Sequence, residues 1–83
     1  MNIVKPGKVY RHYKGNYYYI ENVVLDSETA RRLVIYKALY GDSISWSRPE
    51  DDFLAEVPES SENITSQKHR FEEVTDLTKD YRR

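Results

Sequence analysis

Short apolar runs separated by polar turn signals fill the first half of the chain, which is typical of a β protein. The runs rich in aromatic and β-branched residues predict strands at residues 8–13, 17–25, 33–40 and 44–47. Gly-Asn, Asp-Ser and Gly-Asp pairs between the runs predict turns, because Gly accepts positive φ and the polar side chains bond the local backbone. Consecutive short strands joined by tight turns predict an antiparallel meander.

An aromatic cluster dominates the first predicted hairpin. Five of the chain's eight tyrosines fall within residues 10–19, on both sides of a turn at Gly15. A tyrosine ring packs while its hydroxyl needs a partner or water, so such a cluster belongs on a half-buried sheet. Tyr18 and one face of the first strand are therefore predicted to lie in the core.

The period of two along a strand sorts the faces of this sheet only in part. In the fourth strand Ile44 and Trp46 alternate with serines, which predicts that both face inward. The second strand places Tyr18, Ile20 and Val24 on one face, but its other face is apolar as well. A strand that is apolar on both faces predicts a sheet curled into a barrel, or an outer face covered by the C-terminal segment, a second subunit or a ligand.

The residues after the fourth strand are more polar. Arg48-Pro49 followed by three acidic residues predicts one short helical or 3₁₀ turn, and residues 53–57 predict a brief strand. The run 59–67 is polar and low in aromatics, which predicts a mobile loop.

The end of the chain allows two alternatives. In the first, a short terminal helix forms, because apolar residues recur at helical spacing: Phe71, Val74, Leu77 or Thr78, and Tyr81. In the second, residues 69–73 form an edge strand that pairs with residues 53–57 and inserts Phe71 into the core.

Length and composition restrict the class of protein. At 83 residues, with 39% hydrophobic and 33% charged, the chain forms one domain (1–83) with room for one thin core. It contains no cysteine, so disulfides and thiolate metal sites are excluded. No apolar run reaches the roughly 20 residues of a membrane span, and the first residues lack the apolar core of a signal peptide. We therefore expect a cytoplasmic protein without a membrane partner.

Charge is distributed unevenly along the chain. Residues 1–48 carry eight Lys or Arg and four Asp or Glu, whereas residues 49–83 carry five and ten, so the two parts have net charges of +4 and −5. A basic part of this kind can bind a polyanion, but its cations are scattered rather than arranged in the dense stripe of most nucleic-acid binders.

Four segments of the chain form a specific pattern. They are YRHYKGN at 10–16 followed by Tyr18, SET at 27–29, VIY at 34–36 with ALYG at 38–41, and WSRP at 46–49 with Phe53. Together they closely resemble the small bacterial domain-of-unknown-function family 1653, from about Gly7 to Val57, with Arg70-Phe71 resembling the family's closing element.

This resemblance implies a mainly β fold, a five- to six-stranded antiparallel SH3-type barrel at residues 7–57 with a closing strand at 69–74. Residues 59–67 are then the mobile loop, and residues 75–83 form a tail for which a helix and a disordered chain are the two alternatives. The sequence departs from the family pattern in its long polar connection from Pro58 to His69 and in the tail. The family has no established biochemical role, so the resemblance predicts fold rather than function.

Basic and aromatic residues coincide at the predicted strand ends and form the candidate ligand-binding surface. An arginine beside aromatic rings can stack and present a planar fork to a carboxylate or phosphate, and the rings can stack on flat ligands. Tyr10 or Tyr18 can extend this platform. The predicted site residues are Arg11, His12, Tyr13, Tyr40, Trp46 and Arg48.

Each of the two most reactive candidates has a structural alternative. Because most surface arginines pair with carboxylates, Arg48 is expected to form a charge pair with Glu50, Asp51 or another carboxylate of the barrel. A lone histidine on an aromatic strand, such as His12, is more often packed than catalytic. The sequence predicts no metal or cofactor, since it has no Gly-rich phosphate loop, no paired histidines at metal-ligand spacing and no nucleophile elbow.

Three hypotheses for function follow. The first is a binding module that recognises a peptide, a nucleotide or single-stranded nucleic acid through the aromatic and basic surface. The second is a structural protein that associates with itself, and its oligomeric state is open. The third, ranked last, is a small hydrolase or transferase that uses His12 and Arg11.

Overall fold

The computed structural model describes residues 3–59 and 61–75 and contains one antiparallel sheet and one helical turn. The elements in chain order are β1 Val9–His12, β2 Tyr17–Leu25, β3 Arg32–Ala38, β4 Ser45–Pro49, α1 Glu50–Phe53 and β5 Phe71–Glu73. The predicted mainly β fold class and the four strands of the first half are confirmed. Within these residues no helix has the length and apolar character that crossing a membrane requires.

The strands lie in the order β4-β3-β2-β1-β5, so the meander is followed by a return of the chain to β1. β4 and β5 are the two edges of the sheet. The β1–β2 turn closes as predicted at Gly15, whose φ is +105° and whose N–H donates to the His12 carbonyl over 2.7 Å. The sheet is consistent with a small barrel-like domain.

A β-bulge in β2 changes which side chains face the core. The register with β3 shifts between Ile20 and Asn22, which inserts one extra residue into β2. Ile20 is fully buried, and beyond the bulge Val23 packs against the core. The prediction that Val24 shares the face of Ile20 is therefore wrong, because the period of two restarts at the bulge.

Aromatic rings from separate elements build the centre of the core. The rings of Phe53 in α1 and Phe71 in β5 stack with centroids 4.1 Å apart, and Tyr10 and Tyr36 pack edge-on against Phe53. Tyr18 is also buried, as predicted. The complete cluster is Val4, Tyr10, Tyr18, Ile20, Val34, Tyr36, Ala38, Phe53 and Phe71.

The end of the chain adopts the strand alternative, but with a different partner. Phe71 is buried in β5, and β5 pairs with β1 rather than with residues 53–57. The helical alternative is wrong for residues 71–75, while Leu77, Thr78 and Tyr81 lie outside the described residues. The residues that pair with 55–57 lie just before β5 in the chain. The Arg70 N–H, for example, donates to the Ala55 carbonyl over 2.8 Å.

The segment after β4 confirms one prediction and contradicts another. The predicted short turn is the α-helical turn Glu50–Phe53, but no strand follows at 53–57 beyond the single bridge Glu56–His69. Glu50 anchors this turn, since its carboxylate accepts the Val4 N–H over 3.0 Å and the Arg32 Nε–H over 2.8 Å.

The long polar connection is tied to β1 through Gln67. This buried amide donates to the carbonyls of Arg11 and His69 over 2.9 and 3.1 Å, and its Oε1 accepts the Arg11 Nε–H over 3.1 Å. The mobility of residues 59–67 stays a prediction, as does the domain arrangement.

Candidate functional site

A pocket of about 230 Å³ opens at one end of the sheet, and all five strands contribute to its wall. It lies where β1 and β3 end and where β2, β4 and β5 begin. We call it the arginine pocket. Its lining residues are His12, Tyr18, Tyr36, Tyr40, Trp46, Arg48 and Phe71.

The edge position of β4 brings its aromatic residue to the pocket rim. Trp46 lies opposite Tyr36 in the register with β3, and the period of two places Arg48 on the same face as Trp46. Trp46 and Ile44 are each 51% exposed, so the prediction that both face into the core is wrong. In the part of the chain that the structure describes, no strand lies beyond β4, and the face that is covered at Tyr36 is therefore open at Trp46.

Arg48 is held from two sides inside the pocket. Its Nε–H donates to the Tyr36 hydroxyl over 3.3 Å, and its guanidinium carbon lies 5.8 Å from the centroid of the Phe71 ring. The predicted ion pair is wrong, because Arg32 binds Glu50 and Arg31 binds Asp51, each over 2.8 Å. Among the described residues, no carboxylate pairs with Arg48.

His12 is a neutral hydrogen-bonding group at the pocket wall. Its Nδ1 accepts the Lys14 N–H over 3.1 Å, which leaves the proton on Nε2. Burial, followed by the smaller effects of the charges of Lys14, Arg48 and Arg70, lowers the pKa of His12 from 6.5 to about 4. The imidazole is therefore uncharged at pH 7 and offers Nε2–H as a donor.

Tyrosine hydroxyls form the polar part of the remaining wall. The hydroxyls of Tyr18 and Tyr40 are 2.7 Å apart and share a hydrogen bond. Burial, together with this bond, raises the pKa of Tyr18, so its hydroxyl stays protonated at physiological pH. Tyr40 is 45% exposed and lies with Trp46 at the rim.

The positive charge around the pocket is not compensated within the described residues. Arg48 lines the pocket, while Lys14 and Arg70 are close enough to His12 to lower its pKa. Arg70 Nε is buried without a hydrogen-bond partner in the part of the chain that the structure describes. The ion pairs in that part involve Arg31, Arg32, Lys68 and His69 instead. The pocket is thus an electropositive site on a chain with a net charge of −1.

The structure brings together four of the six predicted site residues: His12, Tyr40, Trp46 and Arg48. Arg11 is bound by Gln67 and does not line the pocket, and Tyr13 is buried with its ring stacked 4.3 Å from that of His12. Tyr18 joins the platform, whereas Tyr10 packs on Phe53 in the core.

Sequence reasoning missed Tyr36 and Phe71, because both match the pattern of core residues. Each is indeed buried, at 5% and 2% exposure, and yet each also forms part of the pocket wall. The register of the third and fourth strands was the available signal for Tyr36, since it places that residue opposite Trp46. No local signal points to Phe71.

A larger depression of about 540 Å³ lies beside β5. Its lining mixes lysines and glutamates: Ile3, Lys5, Lys8, Tyr10, Leu54, His69, Phe71, Glu72 and Glu73. Glu72 already accepts the N–H groups of Lys68 and His69. This surface therefore lacks the single sign of charge that distinguishes the arginine pocket. Among the described residues, no three His, Asp or Glu side chains lie close enough together to hold a metal ion.

The fold and the site define a small all-β domain with a cationic, aromatic-lined pocket at one end of its sheet. The profile of the family described as "Protein of unknown function (DUF1653)" matches residues 8–73, and the chain belongs to this family, as its sequence pattern predicted. All seven pocket residues fall inside the matched range.

A solved structure supports the same assignment. The chain is similar to the crystal structure of a DUF1653 protein from Bordetella bronchiseptica, with a TM-score of 0.67 and 29% sequence identity. The similarity covers 86% of this chain and 87% of that one. None of the curated proteins matches the chain at a significant level.

Proposed function

We propose that this protein is a non-catalytic binding module that takes an anionic group of its ligand into the arginine pocket. The observation that carries the proposal is Arg48, a half-buried guanidinium with no described carboxylate partner that is held in a pocket wall. An arginine in this state offers its remaining N–H groups to a carboxylate or phosphate, which such a planar fork matches in geometry.

The contacts of Arg48 support binding because they fix its position in advance. The bond to the Tyr36 hydroxyl and the Phe71 ring below the guanidinium restrict the side-chain rotamers. An immobilised long side chain otherwise loses about 0.5–1.5 kcal/mol of conformational entropy on binding. Here part of that loss occurs on folding, so the pocket is preorganised for an anion.

The size of the pocket indicates what part of a ligand it holds. Small-molecule sites usually measure about 300–1,000 Å³, and this pocket of about 230 Å³ is smaller. It therefore accommodates one group, such as a carboxylate or a phosphate, rather than a complete cofactor. Trp46 and Tyr40 at the rim supply exposed aromatic surface for the rest of the ligand.

The surroundings of His12 favour binding over hydrolysis or group transfer. Its Nδ1 accepts a backbone N–H, so within the described residues this nitrogen does not donate to a carboxylate as the histidine of a catalytic triad does. Among the residues that the structure describes, the pocket lining includes no Ser, Thr or Lys that can act as a nucleophile. His12 instead acts as a neutral donor beside the arginine.

NMR titration of the labelled protein tests the proposal directly. N-acetylglutamate amide and inorganic phosphate are the anionic probes, and N-acetylglutamine amide is the uncharged control. We expect saturable shifts of the Arg48 Nε–H and the Trp46 indole N–H with at least one anion and none with the control. Arg48→Ala abolishes the shift of the Trp46 indole N–H, whereas Lys37→Ala, which removes a neighbouring cation from β3, leaves the shifts of both signals intact. If no anion moves either signal at millimolar concentration, the proposal is wrong.

A further inference from the structure

The outer side of β4 is an open sheet edge next to the arginine pocket. The Ala38 N–H donates to the Ile44 carbonyl over 2.9 Å, which makes residues 44, 46 and 48 the hydrogen-bonded positions of the pairing with β3. Ser45 and Ser47 therefore point their backbone N–H and C=O groups away from β3. Within the described residues these groups have no backbone partner. An edge of this kind is a template for one more strand.

Side chains on the pocket face of β4 have the spacing that an added strand requires. Ile44, Trp46 and Arg48 follow one another at two-residue intervals, about 6.8 Å apart. The first two are half exposed, and the third ends in the pocket. Alternate residues of an extended peptide have the same period, so its neighbouring side chains can meet Trp46 and Arg48 in turn.

Resting on the anion-binding function proposed above, we infer that an extended segment of a partner protein binds as a sixth strand along β4 and places an Asp or Glu side chain on Arg48. The backbone groups of Ser45 and Ser47 hold the segment. An apolar side chain of the segment covers Trp46. The acidic side chain fills the pocket and supplies the carboxylate that Arg48 lacks among the described residues.

The charges beside β4 favour a peptide over a nucleic acid. The Glu21 carboxylate accepts the Ser45 Oγ–H over 2.6 Å, so one acidic group lies at the same edge. A phosphate at every nucleotide would meet this carboxylate, whereas a peptide carrying one acidic residue meets only Arg48. Nucleic-acid binders also need several cations along their groove, and among the residues that the structure describes Arg48 is the single cation of the pocket lining.

The opposite edge of the sheet is less suited to the same ligand. β5 has three residues against five in β4, and two of the three are glutamates, Glu72 and Glu73. These carboxylates repel an acidic segment. An acidic segment is therefore expected to bind along β4, next to the positively charged pocket, rather than along β5.

Calorimetry and NMR with the blocked peptide Ac-Val-Thr-Glu-Thr-Val-NH₂, whose valines share a face with the Glu, test the inference. We expect at least about tenfold weaker binding when Glu in the peptide is replaced by Gln, and a similar loss with Arg48→Ala, because a charge-assisted hydrogen bond is removed in both cases. The amide protons of Ser45 and Ser47 should shift and become protected from exchange. A peptide N-methylated at its edge-facing amides keeps the carboxylate but should lose binding.

A protein variant tests the same edge from the other side. Ser47→Pro removes an outward N–H without removing a bond to β3, and it should weaken the peptide while retaining the response to N-acetylglutamate amide. Circular dichroism verifies its fold. The N-methylated peptide tests the edge independently if this variant is unfolded.

The outcomes separate the two proposals. If N-acetylglutamate amide shifts Arg48 but N-methylation of the peptide changes nothing, strand addition is wrong and anion binding stands. If neither ligand reaches Arg48, both are wrong. Strand addition is also overturned if binding requires a free peptide C terminus, or if a single-stranded oligonucleotide binds more tightly than the peptide. A third contradicting result is a molecular mass that doubles with protein concentration because β4 pairs with a second copy.

Discussion

Two arginines on adjacent strands of the same sheet have opposite surroundings. Arg32 on β3 binds the Glu50 carboxylate over 2.8 and 3.2 Å, and the same carboxylate accepts the Val4 N–H. Arg48 on β4 contacts a phenol and an aromatic ring and has no described carboxylate partner. The arrangement of partners, rather than the residue type, thus separates a structural charge from a binding group.

The two sites also differ in what surrounds each cation. The acidic first turn of α1 supplies carboxylates to Arg31 and Arg32. Arg48 instead shares the surroundings of His12 with Lys14 and Arg70, since the charges of all three lower the pKa of His12, after burial as the largest cause. Like charges close to a half-buried group are unfavourable, and an anion from outside removes this cost. The first site stabilises the folded chain, whereas the second is the one at which we propose that a ligand supplies the missing negative charge.

The largest expected loss of stability comes from removing the Phe71 ring below Arg48. Among the described residues, no aromatic ring lies below Arg32 in the same way. Phe71 is 2% exposed and stacks on Phe53. Phe71→Ala should lower the free energy of unfolding in urea by about 3–5 kcal/mol, through lost burial and the cavity it leaves. Phe71→Leu, which retains most of the volume, should cost less and still displace Arg48. A loss below about 1 kcal/mol for Phe71→Ala would show that the ring is not central to the core.

The strands and turns of this fold could be predicted because they depend on neighbours in sequence. The bulge in β2 could not, since one inserted residue moves Val23 to the core side without any change in composition. The position of β5 beside β1 depends on a contact across about sixty residues, which no local pattern encodes.

The candidate site could also be predicted only where it depends on residues that are close in sequence. Residue type and strand-end position indicated His12, Tyr40, Trp46 and Arg48. The ion pair assigned to Arg48 was wrong, because α1 directs Glu50 toward Arg32 and the N-terminal segment. Which carboxylate reaches which arginine depends on the direction of one helical turn, and sequence proximity does not determine it.

An intermediate effect is expected from breaking the paired site. Glu50 is 15% exposed at its side chain and has three hydrogen bonds, so Glu50→Gln should lower the free energy of unfolding by about 1 kcal/mol. Asp51→Asn is the matched control, since it breaks an adjacent ion pair whose side chains are 50% and 75% exposed, and its unfolding midpoint should not change. Arg48→Ala should also leave the midpoint nearly unchanged. Equal losses for Glu50→Gln and Arg48→Ala would contradict the distinction between the two sites.

The smallest expected effect on stability comes from the protonation of His12, whose pKa depends in part on the charge of Arg48. Its pKa of about 4 in the folded protein is below the value of about 6.5 in an unfolded chain. As the pH falls from 6.5 to 4, the unfolded state binds a proton before the folded state does, so stability present above pH 6.5 is lost across this window. Solvent screening of the half-buried ring reduces the loss to less than about 1 kcal/mol.

Urea unfolding at pH 7 and pH 4.5 measures this loss, which His12→Gln should remove because glutamine does not titrate. The groups that face His12 are the cations Lys14, Arg48 and Arg70 and the rings of Tyr13, Tyr18 and Phe71. Arg48→Ala removes one of these cations and should raise the pKa of His12, measured by NMR from the imidazole shifts. Arg32→Ala removes a cation whose charge is paired with Glu50 and should leave it unchanged. If both variants shift the pKa of His12 equally, the unpaired charge of Arg48 is not what His12 senses, and the electrostatic contrast between the two arginines fails.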